Sequence, residues 1–163
     1  MTRPSSFAPE ADAKKFRTAL GRFTTGVTII TALTPQGPIG VTANSFASIS
    51  LDPALVMWSP DKASKRHDAF FAAKSFNIHV LAAEQMHVCN AFVRRRDAFD
   101  QVPHALNEAG IPILDGCLAV FECHHFASHD AGDHTIILGK VYRVTERTGD
   151  GLTFANGAFS TTS

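Results

Sequence analysis

Charge of one sign, paired cysteines and long apolar runs are all missing from this sequence, and each absence removes a class of protein. Fifteen basic residues balance fifteen acidic ones, so there is no basic excess of the kind a nucleic-acid binder needs for phosphates. Cysteine occurs three times, at Cys89, Cys117 and Cys123. An odd count without a CxxC pair does not make a secreted disulfide framework. No stretch approaches the ~20 apolar residues of a membrane span, and the stretch from Met1 to Lys15 is polar and mixed in charge, unlike a signal peptide. These features predict a cytoplasmic protein that binds neither nucleic acid nor membrane. Disorder is excluded as well, because 45% apolar content with no net charge can fill a core. The 163 residues suit one domain, 1–163, with 1–10 as a flexible N-terminus. They leave no room for a dinucleotide-binding α/β domain plus a separate catalytic domain.

Catalytic signatures are equally scarce. The chain has no GxSxG elbow, no GxGxxG, no GxxxxGK[ST] phosphate loop and no HExxH. Cys117, Cys123, His124, His125, His129 and His134 crowd the C-terminal third, yet Cys123, His124 and His125 are consecutive and alternate faces on a strand. They do not converge on one ion, close ligand pairs are lacking, and no metal is predicted. Cys89 falls on the apolar side of a helical stretch, where a packed, unreactive thiol is expected.

What the chain does have is a run of strands with few helices. Phe16, Leu20 and Phe23 predict a helix over Ala11 to Phe23. Strands are predicted for Gly26 to Leu33, Ile39 to Leu51, Ala54 to Trp58, Ser75 to Ala82, Gly116 to Phe126, Asp133 to Thr145 and Leu152 to Phe159. Ser59-Pro60-Asp61 has the N-cap, N1 proline and first-turn acid of a helix running to about Ala73. Another helix is predicted from Glu84 to Arg94, with Met86, Cys89, Asn90 and Phe92 or Val93 inward. Arg95 to Pro112 is expected to be an irregular, mobile surface excursion. Strands without alternating helices exclude a doubly wound sheet and favour an antiparallel barrel, mainly β with peripheral helices.

The segment from Gly40 to Ser64 carries the chemistry. Thr42, Asn44, Ser45, Ser48 and Ser50 stand where a barrel strand would prefer Val or Ile, and small polar side chains let a flat ligand approach the backbone. Ser59 at a helix start, with Lys62 and Ser64, offers free N–H groups and positive charge to a phosphate tail. The same residues also suit an exposed edge and an ordinary cap, and residue chemistry leaves both readings open. Gly132-Asp133-His134 places one histidine at a strand mouth.

These pieces together resemble the flavin reductase-like family of short NAD(P)H:flavin oxidoreductases. Phe16 to Thr28 (FRTALGRFTTGVT) is similar to the family's opening. Gly40 to Phe46 (GVTANSF), with Ser48-Ile49-Ser50 and Pro53, resembles its flavin-binding strand. Ser59, Lys62 and Ser64 resemble its phosphate region, Ser75 to Leu81 the next strand, and Gly132-Asp133-His134 its GDH motif. The resemblance implies an antiparallel FMN-binding split β-barrel and a homodimer. It implies that Thr42, Ala43, Asn44, Ser45 and Ser48 line the flavin, and that Ser59, Lys62 and Ser64 handle its phosphate end. Gly132, Asp133 and His134 would sit by the nicotinamide. The implied activity is reduction of FMN or FAD by hydride transfer from NADH or NADPH to flavin N5, with no residue acting as acid or base. Reduced flavin would pass to a partner flavin-dependent monooxygenase. Alternatives are a flavin-dependent reductase of a cobalamin-type cofactor or ferric ion, and a non-catalytic flavin- or haem-binding split-barrel module. Leu152 to Phe159 matches the family only loosely, so no contact is carried over from Phe159.

Overall fold

A computed structural model describes residues 3–162. The expected flexible segment begins outside the described residues, and Pro9–Ala11 form one 3-10 turn. Helix α1, Ala13–Leu20, is capped by the Asp12 side chain, which accepts from the Lys15 N–H at 2.9 Å. The strands are β1 (Thr25–Gly26), β2 (Thr28–Thr34), β3 (Gly37–Ala43), β4 (Ala47–Leu51), β5 (Ala54–Trp58) and β6 (Ser75–Val80). They continue with β7 (His104–Leu106), β8 (Pro112–Leu114), β9 (Ala119–Ala131), β10 (His134–Glu146), β11 (Leu152–Ala155) and β12 (Ala158–Thr161). Helix α2, His67–Ala72, precedes β6, and α3, Met86–Arg94, follows it.

Seven strands form one antiparallel sheet in the order β3-β2-β6-β9-β10-β5-β4. Its two edge strands are consecutive in the chain, joined only by Asn44-Ser45-Phe46. Laid flat at the usual strand spacing, the two edges would stand ~29 Å apart, whereas the step from Ala43 to Ala47 reaches at most ~14 Å. The sheet therefore curls until the end of β3 comes beside the start of β4, without pairing between these edge strands among the described residues, as in the expected split barrel. Ser45 fastens the joint: its hydroxyl accepts from the Ser59 N–H at 3.0 Å and lies 3.3 Å from the Ser59 carbonyl, to which it donates.

Alternation along β2 feeds two cores. Ile29 joins Val88, Cys89 and Phe92 of α3 in one cluster, while Ile30 joins Trp58, Phe70 and Phe76 in the other. Helix α3 can lie directly on β3 because residue 40 is glycine. A Cβ there would meet the Phe92 ring at 2.6 Å.

Four expectations are corrected. Ile39 to Leu51 is two strands on opposite sheet edges, since the Ser45 tie bends the chain after Ala43. The helix expected from Ser59 to Ala73 shrinks to the six residues of α2, and Ser59 caps nothing. The backbone before α2 pairs with β10 instead: Thr135 N–H donates to the Pro60 carbonyl at 3.1 Å and Lys62 N–H to that of Asp133 at 2.9 Å. Arg95 to Pro112 is packed rather than mobile. Ala98 and Val102 are buried, Phe99 sits edge-on to Phe92 at 5.0 Å, and β7 pairs with β8. The last strand is a hairpin, β11 against β12, turned by Asn156-Gly157 with both φ positive. On α3, Val93 points outward and Val88 inward.

His79, fully buried on β6, ties three elements together. Its Nδ1 lies 3.0 Å from the Ile29 carbonyl, and its Nε2 accepts from the Leu114 N–H at 3.1 Å. Both ring nitrogens are thus used by the neutral form, and burial pushes the pKa from 6.5 down to about 4. Above pH 6.5 neither state binds this proton. As the pH falls from 6.5 to 4 the unfolded chain takes up a proton that the folded chain refuses, so stability falls. That loss should reach about 3 kcal/mol by pH 4, measured as urea midpoints across this range. A His79→Gln variant should show a flatter pH dependence; an equally steep one would contradict the assignment. The joint makes a second prediction. Ser45→Ala strands the Ser59 N–H and should cost about 1–2 kcal/mol, a melting shift of roughly 3–6 °C. An unchanged melting temperature would mean that the edges are held by something else.

Candidate functional site

Curling the sheet brings polar ends of four elements to one place. Beside the joint lies a cleft of about 250 Å³, walled by the end of β3 through Ser45, by Trp58 to Asp61 after β5, by Ser64, Arg66 and His67 at the entrance to α2, and by His134 at the start of β10. A second hollow of about 190 Å³ lies against the same Thr42, Ala43 and Asn44. Its remaining wall is Val27 with Phe154 and Phe159 of the hairpin, whose rings are 4.9 Å apart. The end of β3 therefore has one polar and one apolar flank.

Of the residues singled out in the sequence, Thr42, Ala43, Asn44, Ser45, Ser59, Ser64 and His134 meet at the first cleft. Gly132 and Asp133 form the turn behind His134. Ser48 and Lys62 stand outside its wall. Ser48 is exposed on β4, opposite Val56. The Lys62 ammonium is engaged by the Asp130 carboxylate and the Gly132 carbonyl, so it braces the turn that carries His134. Thr42 turns its hydroxyl to the Cys89 carbonyl at 2.8 Å, which locks the strand end to α3.

Three wall groups went unread in the sequence. Arg66 is half-buried and donates to the carbonyls of Gly40 (3.1 Å) and Phe92, closing the C-terminal end of α3. Burial, then Arg96, lowers its pKa while Asp97 raises it, and the guanidinium stays charged. His67 Nε2 is hydrogen-bonded to the Thr135 hydroxyl at 2.8 Å, and its Nδ1 lies 2.9 Å from the Asp68 carboxylate. Phe159 comes in through the hairpin; the Asn156-Gly157 pair, a strong turn signal, could have revealed it. Arg66 and His67 carry no such local mark.

His134 is oriented by Asp133, Nδ1 to carboxylate oxygen 2.8 Å, and this hydrogen bond holds the exposed Asp133 carboxyl below its ordinary range. The cysteines take no part. Burial pushes Cys117 up to about 11 and Cys123 to about 12, and raises Cys89, leaving all three as thiols. Among the described residues no three His, Cys, Asp or Glu side chains gather closely enough to hold a metal. No described helix is long and apolar enough to cross a membrane. The end of β3 is thus lined by small side chains, with a fixed cation and two histidines on one flank and phenylalanines on the other.

The sequence matches the family described as "Flavin reductase like domain" over residues 20–163. It is 55% identical to "FMN reductase (NADH) SmoA" of Agrobacterium fabrum, over 94% of this chain and 88% of that one. It is 44% identical, over 91% of its length, to "Flavin-dependent trigonelline monooxygenase, reductase component" of Acinetobacter baylyi, of which it spans 48%. Among solved structures, the Streptomyces globisporus NADH:FAD oxidoreductase SgcE6 in complex with NAD and FAD fragments superposes with a TM-score of 0.90. That match is at 36% identity and covers 96% of each chain. The chain belongs to the flavin reductase-like family.

Proposed function

We propose that this protein reduces FMN or FAD with NADH or NADPH and supplies the reduced flavin to a partner monooxygenase. The observation that carries it is the two-flanked end of β3, where a polar cleft and an aromatic hollow share Thr42, Ala43 and Asn44. A flavin and a nicotinamide bound together supply the hydride transfer, from nicotinamide C4 to flavin N5.

The residues of this chain do the rest. Thr42 to Ser45 are small enough to let a flat ring rest near the backbone of β3. Phe154 and Phe159 exclude water on one side. Ser59 and Ser64, beside the charged Arg66, face the cleft and suit an anionic tail. Arg66 keeps a fixed positive charge in the wall, which favours negative charge on a bound ligand. Asp133 and Lys62 hold the turn from which His134 reaches the nicotinamide side. No wall residue has to give or take a proton.

The chain acts as a single cytoplasmic domain and as a homodimer in this reading. Three buried free thiols suit a reducing compartment. Helix α1 buries none of its residues and leaves Phe16 and Leu20 in the open beside Phe23, while Leu51 on the edge strand β4 is 98% exposed. Apolar surface of this extent suits a second copy, which sedimentation at several concentrations would reveal.

Purified protein should oxidise NADH or NADPH only when FMN or FAD is added or bound. His134→Ala should raise the nicotinamide KM about tenfold, the value of one good hydrogen bond, and leave the flavin KM unchanged. Failure to oxidise either nucleotide with either flavin would refute the reading. Preference for a cobalamin or ferric acceptor over free flavin would replace it.

A further inference from the structure

We propose that the indole N–H of Trp58 donates a hydrogen bond to the ring system of the flavin, making the sole tryptophan a specificity-determining residue of the cleft. The inference rests on the flavin reading above and deepens it.

Trp58 ends β5 and is 1% exposed. Its ring is fixed by Phe70, edge to face at 5.0 Å and 84°, and by Phe76 at 6.4 Å and 62°. Nε1 nevertheless finds no hydrogen-bond partner among the described residues. An indole nitrogen only donates, and a buried donor without an acceptor destabilises the fold. A phenylalanine would fill this part of the core without that cost. The π face of Phe70 is at best a weak acceptor.

Position separates this atom from the other orphans. Thr25 Oγ1 and Asn77 Oδ1 also lack partners, but neither residue lines the cleft, and Trp58 does. The acceptor missing from the protein is therefore assigned to the ligand, which reaches the sealed Nε1 once the wall around Trp58 shifts to admit it. An isoalloxazine suits the wall: its flat apolar face matches aromatic neighbours, and its ring carbonyls and nitrogens are acceptors at the edge.

With one tryptophan in the chain, indole ¹⁵N labelling gives a single side-chain resonance. Adding FMN should move its proton downfield and slow its exchange with solvent. Trp58→Phe should weaken FMN binding about tenfold, the loss of one hydrogen bond. The same variant, free of flavin, should still unfold in a single transition, so that the weaker binding is that of a folded protein. FMN binding with an unmoved indole resonance and wild-type affinity in Trp58→Phe would overturn the proposal while leaving the flavin reading intact. A resonance that moves with NADH alone would overturn it too. Absence of any FMN binding by the wild type would overturn both.

Discussion

Three residues decide the architecture. Asn44-Ser45-Phe46 must carry the chain from one edge of a seven-stranded sheet to the other, and so short a link is compatible only with a sheet rolled until its edges converge. Everything that surrounds the cleft follows from that closure. The end of β3 is brought to the end of β5, the Ser59 backbone is handed to Ser45, and the start of β10 docks on Pro60 and Lys62. A cleft opens at the seam because the seam is where regular pairing stops. Small polar side chains there lose no strand neighbours and leave backbone accessible.

The seam is held by polar groups that are nearly all engaged. Thr42 bonds to α3, Arg66 to the carbonyls that end it, and Lys62 to the turn below His134. These contacts spend the charge of Lys62 on positioning and leave Arg66 as the cation in the wall. Their individual worth is modest, since Lys62 and Asp130 are exposed partners. Their geometry matters more, because it fixes which atoms face the cleft. Against this background one buried donor in the cleft wall, on Trp58, stands without a partner among the described residues.

Much of the chain could be read locally. Alternation of Phe76, Ile78 and Val80 marked β6, Ser45 and Ser59 were picked out by residue type, and His134 by its place in the Gly-Asp-His motif. Long-range pairing was harder to see. Ser59-Pro60-Asp61 has the composition of a helix start, yet its backbone groups bond to β10, more than 70 residues later, and the helix begins only at His67. Gly40 to Leu51 has no breaker between Ala43 and Ala47, so the bend that closes the barrel is invisible without its Ser59 partner. Arg66 has no local signature in the sequence. Its role depends on α3 ending beside Gly40, which requires the Phe92 contact that only glycine permits. Phe159 was placed by the hairpin it belongs to, whose Asn-Gly turn was legible but whose pairing with β1, which sets it across the hollow from β3, was not.

The central claim is that one ring-shaped ligand lies against the end of β3, between the Arg66 and His134 flank and the Phe154 and Phe159 flank. A crystal structure of the protein grown with FMN tests this most directly. The account predicts density for the isoalloxazine against Thr42 to Ser45, with Trp58 Nε1 within hydrogen-bond distance. Density for the ring elsewhere, such as the hollow between α1 and the hairpin lined by Arg17 and Arg22, would contradict it.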